Sequence, residues 1–460
     1  FNNSSTTGTT VGTITANGDP TASIDSPFDD PAGFVFGDAG DQNVIKTGSY
    51  VGDSQADGPH VYLGWEPQYL LIKNAETAST PWQVWDSMRG VVTGGNDEYL
   101  SPNNSDATAS YERISFTPTG FKLDANSSYV NESGKTLIYI AIRRPDGYVG
   151  KPPELGTGVF AMDGSPTNNF PAWNSGFPVD FAIDKKPAAS GSWEVTSRFM
   201  ANNAYLVTDT NAAEATYGTT DDGDWRKDSN TGFGAASSWG GASVYQAWMW
   251  KRHAGFDVVT YKGDEVSGRQ IPHSLNKTIE MMWIKCRNNA QDWVCYHKGM
   301  NGGTNPEQYY ALLNDSGTQL DRASGFNDTA PTSTHFTLGD ADRVNGDYNY
   351  IAMLFASTDV SAVGSYTGNG SNSGAHVTVG FTPRFLWVRR TDAAGSWYVV
   401  DTLRGLSSSS ANDDTLYFNQ DVAQTTGQNW VITSNTGFSP SVNWSGVNAS
   451  GGNYIYYAHA

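Results

Sequence analysis

Cysteine is nearly missing: only Cys286 and Cys295 occur in 460 residues. A disulfide framework is thereby excluded as the source of stability. The two flank a short turn and are expected to pack as small apolar residues or free thiols, with a bond across the turn as the alternative. Positive charge is also scarce, with 28 Lys and Arg against 47 Asp and Glu and a formal net charge of −19. Such a chain repels polyanions and anionic membrane surfaces, so neither nucleic acid nor membrane is an expected partner. No apolar run approaches the roughly 20 residues of a membrane-spanning helix. No stretch sustains a 3.6-residue apolar period, so helices should be few. The seven His and two Cys show no ligand spacing, and no zinc, other metal or cofactor is expected. Nucleophile-elbow, phosphate-loop and HExxH motifs are missing, and the chain reads as a non-enzyme. Paired carboxylates for glycosidic cleavage leave no linear motif, so a polysaccharide depolymerase stays open as an alternative. The chain begins with Phe1 and shows no signal peptide, which reads as a processed start or part of a longer protein.

What is abundant is Gly, at 50 residues, and aromatics, at 13% of the chain. With Ser, Thr and Asn crowding the intervening stretches, this is a turn-rich β composition with enough apolar residues to build cores. It also repeats. Gly364 to Gly405 reads GSYTGNG, GFTPRFLWVRR and SWYVVDTLRG, and the order recurs as GSYVGDS (from Gly48), GWEPQYLLIK (from Gly64) and PWQVWDSMRG (from Pro81). Three markers carry it through the whole chain. Trp82, Trp193, Trp293 and Trp397 are one. A Tyr-x-Ala at Tyr139, Tyr245, Tyr350 and Tyr456 is the second. Phe121, Phe233, Phe336 and Phe438 are the third.

The common period of about 105 residues exceeds the roughly 20–50 of a solenoid repeat and fits a small autonomous domain in tandem. The units fall at 44–146, 150–253, 255–359 and 361–460. The second is divergent and lacks the GSY opening. Residues 1–43 are polar and punctuated by Pro and Gly, and read as an extended arm or the end of a preceding domain. Within the last unit, 385–390, 397–401, 416–418, 430–432 and 454–458 read as strands, the first two forming a hairpin through Gly395. Six or seven short strands per unit predict an all-β chain of four tandem β-sandwich domains of about 100 residues each.

The repeated Asp-x-x-Arg-Gly, at Asp86/Arg89 and Asp401/Arg404, has two readings: a grip on a sugar, or an Asp–Arg clamp closing the loop after the return strand, which is favoured. His297 and Ser197 stand at the corresponding place in the third and second units. The recurrent Trp residues read as core anchors rather than sugar platforms, as the repeat Tyr residues do. Trp173, Trp239 and Trp444, in Gly- and Asn-rich stretches, are the candidate ligand-binding aromatics. Asp221-Asp222-Gly223-Asp224 and Asp340-Ala341-Asp342 read as solvated turns rather than calcium loops. Sequons occur at Asn103, Asn126, Asn131, Asn276, Asn443 and Asn448, as the composition alone predicts.

On GSYTGNG, GFTPRFLWVRRTDAAGSWYVVDTLRG, and the further copy in GFDVVTYKG (from Gly255) and MMWIKCRNNAQDWVCYHKG (from Met281), the chain resembles the tandem β-domain structural proteins of tailed bacteriophages. Such domains are especially familiar in the tail-fibre and virion-fibre proteins of marine, cyanophage-like phages. The resemblance covers 44–146 and 255–460 well and 150–253 poorly. It implies a virion location, other virion proteins and a host-surface polysaccharide as partners, and a homo-oligomer, a trimer above all. The function expected is that of a tail or side fibre for host attachment. A secreted or cell-surface bacterial adhesin or filament subunit is the alternative in the binding class.

Overall fold

The computed structural model describes residues 45–91, 96–117, 119–143, 153, 155–167, 169–201, 203–217, 227, 229–234, 245–409 and 413–460. The expected arm at 1–43 lies outside the described residues. The chain is all-β, and the same strand order appears four times.

Each unit begins with an opening strand: Ile45–Val51, Phe160–Asp163, Phe256–Lys262 and Ser361–Thr367. Each ends with a closing strand: Thr136–Arg143, Gln246–Trp250, Asn349–Phe355 and Asn453–His459. The closing strand lies in the large sheet between the opening strand and a hairpin strand: Pro67–Asn74, Phe181–Lys185, Met281–Cys286 and Phe385–Arg390. The return strand follows outward, at Gln83–Asp86, Glu194–Ser197, Val294–His297 and Tyr398–Asp401, and a fourth strand and a short edge strand complete six in units two to four. In unit one, the bridge between Val84 and Leu100 joins the corresponding two-stranded piece to the sheet. All strand pairs are antiparallel. A small second sheet of two or three strands covers one face in every unit. Eight or nine strands per unit exceed the expected six or seven, because edge strands of two to four residues carry little sequence signal.

The marker residues take repeated places. Phe121, Phe233, Phe336 and Phe438 sit in the small sheet, opposite Val61, Trp173, Ile271 and Val377, and all four are fully buried. Each marker Trp immediately precedes its return strand, and its backbone N–H donates to a loop side chain: Asn103 Oδ1 for Trp82, Asp209 Oδ1 for Trp193, Asn314 Oδ1 for Trp293 and Asn419 Oδ1 for Trp397. The Tyr marker is two registers rather than one. Tyr139 and Tyr456 occupy the same place, opposite Gly48 and Gly364, where a Cβ would collide with the phenol ring. In unit three that place holds Ala352 opposite Val259, so a large–absent pair has become a small–medium pair. Tyr350 lies two residues earlier, as Tyr454 does in unit four. Each stacks on an opening-strand Tyr, Tyr261 or Tyr366, with ring centroids 5.1 and 5.0 Å apart. A shift of two keeps a strand residue on the same face, which is why the sequence pattern survives it.

Units two, three and four are not independent. One face of each large sheet packs on its own small sheet, through Leu386 and Val388 in unit four and Met282 and Ile284 in unit three. The other face faces its neighbours. Phe181 and Ile183, Met281 and Trp283, and Phe385 and Trp387 all belong to a single core shared by the three units. The hairpin strands MMWIKC and FLWVRR are therefore buried at nearly every position, and their unbroken apolar runs reflect two covered faces. Unit one keeps a separate core, built on Leu70, Ile72, Trp85 and Phe121.

Candidate functional site: the ring of three units and its polar contacts

The shared core is bordered by polar contacts that run around the three units in one direction. Trp193 of unit two donates its indole N–H to the carbonyl of Tyr417 in unit four, at 2.7 Å. Trp397 of unit four donates to Leu312 of unit three at 3.0 Å, and Trp293 of unit three donates to Val207 of unit two at 2.7 Å. The three acceptors are equivalent positions on the fourth strands, so the set closes on itself.

A basic residue near the end of each hairpin strand repeats the pattern. Lys185, Lys285 and Arg389 are buried, and each donates to a carbonyl six residues on, in its own hairpin loop: Gly191, Gln291 and Gly395. Lys285 also donates to Asn211 of unit two at 3.2 Å, and Arg389 donates to Asp315 and Gly317 of unit three. The Arg389 guanidinium lies 4.5 Å from the centre of the Trp397 ring, stacking the two repeat residues together. Burial lowers the Lys185 and Lys285 ammonium groups to about 8.

The last residue of each return strand is a cap whatever its chemistry. Asp86 and Asp401 accept with Oδ1 from Met88 and Arg89, and from Leu403 and Arg404. Ser197 Oγ accepts from Phe199 N, and His297 Nδ1 accepts from Gly299 N at 2.9 Å. What survives among Asp, Ser, Asp and His is a side-chain acceptor reaching a backbone N–H two residues ahead. The favoured clamp is present: Arg89 pairs with Asp86 and Arg404 with Asp401, each at 2.6 Å. Asp401 Oδ2 is fully engaged, accepting also from Gln246 Nε2 and Trp248 Nε1 of unit two at 2.9 and 3.0 Å. It is a buried joint between units, with no lone pair turned to solvent.

His297 makes the matching joint between units three and four, its Nε2 3.1 Å from the Tyr456 carbonyl. A ring donating from Nε2 and accepting at Nδ1 is neutral, and burial lowers its pKa to about 3. His253 and His459, whose rings meet at 6.4 Å, are likewise held neutral by burial. Between the closing strand of unit two and unit three, Arg252 holds Asp257 through Nε at 2.6 Å and reaches Glu66 of unit one with both terminal nitrogens at 2.6 Å. This buried fork ties the first unit to the ring.

The expected Trp anchors divide accordingly. Trp193, Trp293 and Trp397 are fully buried, but in the shared core rather than in their own sandwiches. Trp82 departs from the expectation: it is half-buried, because no other unit covers it among the described residues, and Trp85 fills the core of unit one instead. Of the ligand-binding candidates, Trp173 is fully buried and stacked on Phe233 at 4.9 Å, which removes it from any surface site. Trp444 is half-buried with its ring against Tyr398 at 4.7 Å. Trp239 lies outside the described residues, as does Asp221-Asp222-Gly223-Asp224. Among the described residues no three His, Cys, Asp or Glu side chains come together to hold a metal ion, the Asp340 and Asp342 turn included. Cys286 and Cys295 are free and buried. They belong to different cores on opposite faces of one sheet, so they cannot meet.

One repeated side chain had no sequence signal of its own. Asn131, Asn345 and Asn448 are buried just ahead of their closing strands, each staple donating to two backbone carbonyls from its amide and accepting a backbone N–H, and Asn131 and Asn448 each donating also to a side-chain oxygen. Asn448 Nδ2 reaches Ser371 O at 2.7 Å and Val442 O at 3.3 Å while its Oδ1 accepts from Asn369 N. Asn345 binds Val266 O, Gly339 O and Asp264 N in the same way. Two of the sequons are thus structural amides with no access for a glycan. Only alignment of the four units would have singled them out.

Fold and contacts define a repetitive β-sandwich protein in which three of four units are fused around one core. The chain belongs to a family described as a domain of unknown function, DUF7483, whose signature matches residues 3–144 and 160–460. Comparison with curated proteins gives no match.

Proposed function

We propose that the chain is a structural protein of a tailed-phage virion, a tail or side fibre whose β units present their loops to a host-surface polysaccharide. The observation that carries this reading is the closed set of indole-to-carbonyl bonds around a shared aromatic core. A fibre must hold its display surfaces at fixed spacing outside the cell, and three units locked on one core provide a rigid module of that kind. The aromatic residues are spent largely on this packing, which leaves recognition to the polar loops between strands. The net charge of −19 suits exposure in solution and favours a neutral glycan over a polyanion as the surface met.

The test is immunogold electron microscopy with antibody raised against residues 361–460, applied to particles and cells from the source culture. Gold on fibres projecting from virions is the expected result, and its position separates tail from head. Gold along cell surfaces with bare virions would replace the fibre by an adhesin.

A further inference from the structure

Arg113 of unit one is 7% exposed, and its guanidinium lies over three Tyr rings, 4.7 Å from the centre of Tyr99, 4.9 Å from Tyr111 and 4.8 Å from Tyr129. Its Nη1 is buried and meets no acceptor among the described residues. Other buried arginines of this chain hold a carboxylate, Arg252 that of Asp257, Arg287 that of Glu214 and Arg404 that of Asp401. The carboxylate beside Arg113 belongs to Asp97, and its Oδ2 accepts instead from the backbone N–H groups of Arg113 and Ile114, at 3.3 and 3.2 Å. Aromatic faces attract a cation, but they give an N–H in the guanidinium plane no lone pair to meet.

The other units show that this is a departure. Asp413 of unit four accepts from Val431 N as Asp97 does from Ile114 N, which puts Trp430 at the place of Arg113. Trp430 is 1% exposed and its indole N–H reaches Thr415 Oγ1 at 2.8 Å, so that place is closed and satisfied. In unit two Tyr205 and Tyr217 correspond to Tyr99 and Tyr111, by the pairing of Ala215 and of Ala109. Those two rings stack at 4.6 Å with 15° between their planes. Tyr99 and Tyr111 are 6.2 Å apart and tilted by 42°, spread around the guanidinium, and Tyr111 is 56% exposed.

We propose that Arg113, with Tyr99, Tyr111 and Tyr129 around it, is a binding site for a single carboxylate carried by a small ligand, an organic acid or an acidic sugar. A guanidinium offers parallel N–H groups that match the two oxygens of a carboxylate, and a partly desolvated setting strengthens such charge-assisted bonds. A neutral hydroxyl supplies neither the second oxygen nor the charge. The exposed ring of Tyr111 gives the body of the ligand an apolar face to lie on. The net charge of −19 opposes a dense polyanion, whereas one isolated carboxylate responds mainly to charges within about 10 Å. The inference rests on these side chains and stands apart from the virion assignment.

The experiment is isothermal titration calorimetry on the full chain at constant ionic strength, with sodium glucuronate, sodium acetate, glucose and sodium sulfate as probes, repeated on Arg113→Lys and Tyr111→Glu. The expected result is saturable binding of glucuronate with a dissociation constant on the order of 1 mM, and binding of glucose and sulfate at least about tenfold weaker. Arg113→Lys keeps the charge but loses the fork, and should weaken glucuronate about tenfold. Tyr111→Glu sets a competing carboxylate beside the guanidinium and should abolish binding of the acids. Should Arg113→Lys misfold, Tyr111→Glu decides, since its side chain is already 56% exposed. Glucuronate bound more tightly than acetate identifies the ligand as an acidic sugar, and equal affinities identify a simple organic acid. A full chain that binds neither acid overturns the proposal, as does one that takes glucose or sulfate as tightly as glucuronate. Binding unchanged in Tyr111→Glu also overturns it, because the acids then sit elsewhere.

Discussion

Among single residues, those that fix the structure most tightly are polar and buried. Asp413, at the start of the fourth strand of unit four, has one carboxylate oxygen accepting from Val431 N at 3.2 Å and the other buried without a partner. Burial pushes its pKa up to about 7. A carboxyl raised in the folded state binds its proton more tightly there than in the unfolded chain. Its contribution is therefore complete below pH 4 and is lost as pH rises toward 7. Asp413→Asn removes that dependence. The variant should gain about 2 kcal/mol on the parent between pH 4 and 8, a value discounted for solvent screening, and urea titrations at the two pH values check it. The three neutral histidines act in the opposite sense. Their lowered pKa values make the fold lose stability as pH falls below the usual imidazole range, with the joint between His297 and Tyr456 among the contacts strained first.

For strands and their contacts, the repeated Trp sets how firmly one unit holds the next. Trp397→Phe deletes the N–H that meets Leu312 O and leaves a buried carbonyl unpaired, besides shrinking the ring against Arg389. A loss of about 2–4 kcal/mol is expected in chemical denaturation. Trp444→Phe, on a half-buried ring outside the shared core, should cost less than about 1 kcal/mol. This is also where the sequence was most and least legible. The all-β class, the four units and the hairpin strands followed from period and composition. The recurrent Trp read correctly as anchors in three units, and the Asp–Arg pair as a clamp. What packs against an anchor is a different matter. A Trp buried against its own second sheet and a Trp buried against another unit have the same neighbours in sequence, so the shared core was invisible. The unbroken apolar run in Phe385 to Val388 did hold the clue, since it records two covered faces. The Asn staples were hidden because Asn is common in this chain and two of them sit inside sequons.

At the scale of the whole molecule, cooperativity should follow cores rather than repeats. Units two to four have one core between them and unit one has another, joined to the rest through the fork of Arg252 on Glu66 and Asp257. Differential scanning calorimetry should then give a single large transition for residues 160–460 and a separate one for unit one. Trp397→Phe should move the large transition as a whole. Three resolved transitions in the large region would show the units melting independently, contrary to the shared core. The fork itself is desolvated, so the link between unit one and the ring should resist salt in a way that surface pairs such as Lys262 with Asp347 do not.

The bond from Trp193 to Tyr417 spans 224 residues of chain. During synthesis, unit two emerges with its inner face finished, and unit three covers only part of it until the fourth unit has left the ribosome. At roughly 5–20 residues per second, the remaining length takes on the order of ten to forty seconds. For that interval the most aromatic surface of the protein stands open. A premature stop within the fourth unit would leave it so permanently, which makes the closing strand Asn453–His459 the piece that completes the shared core.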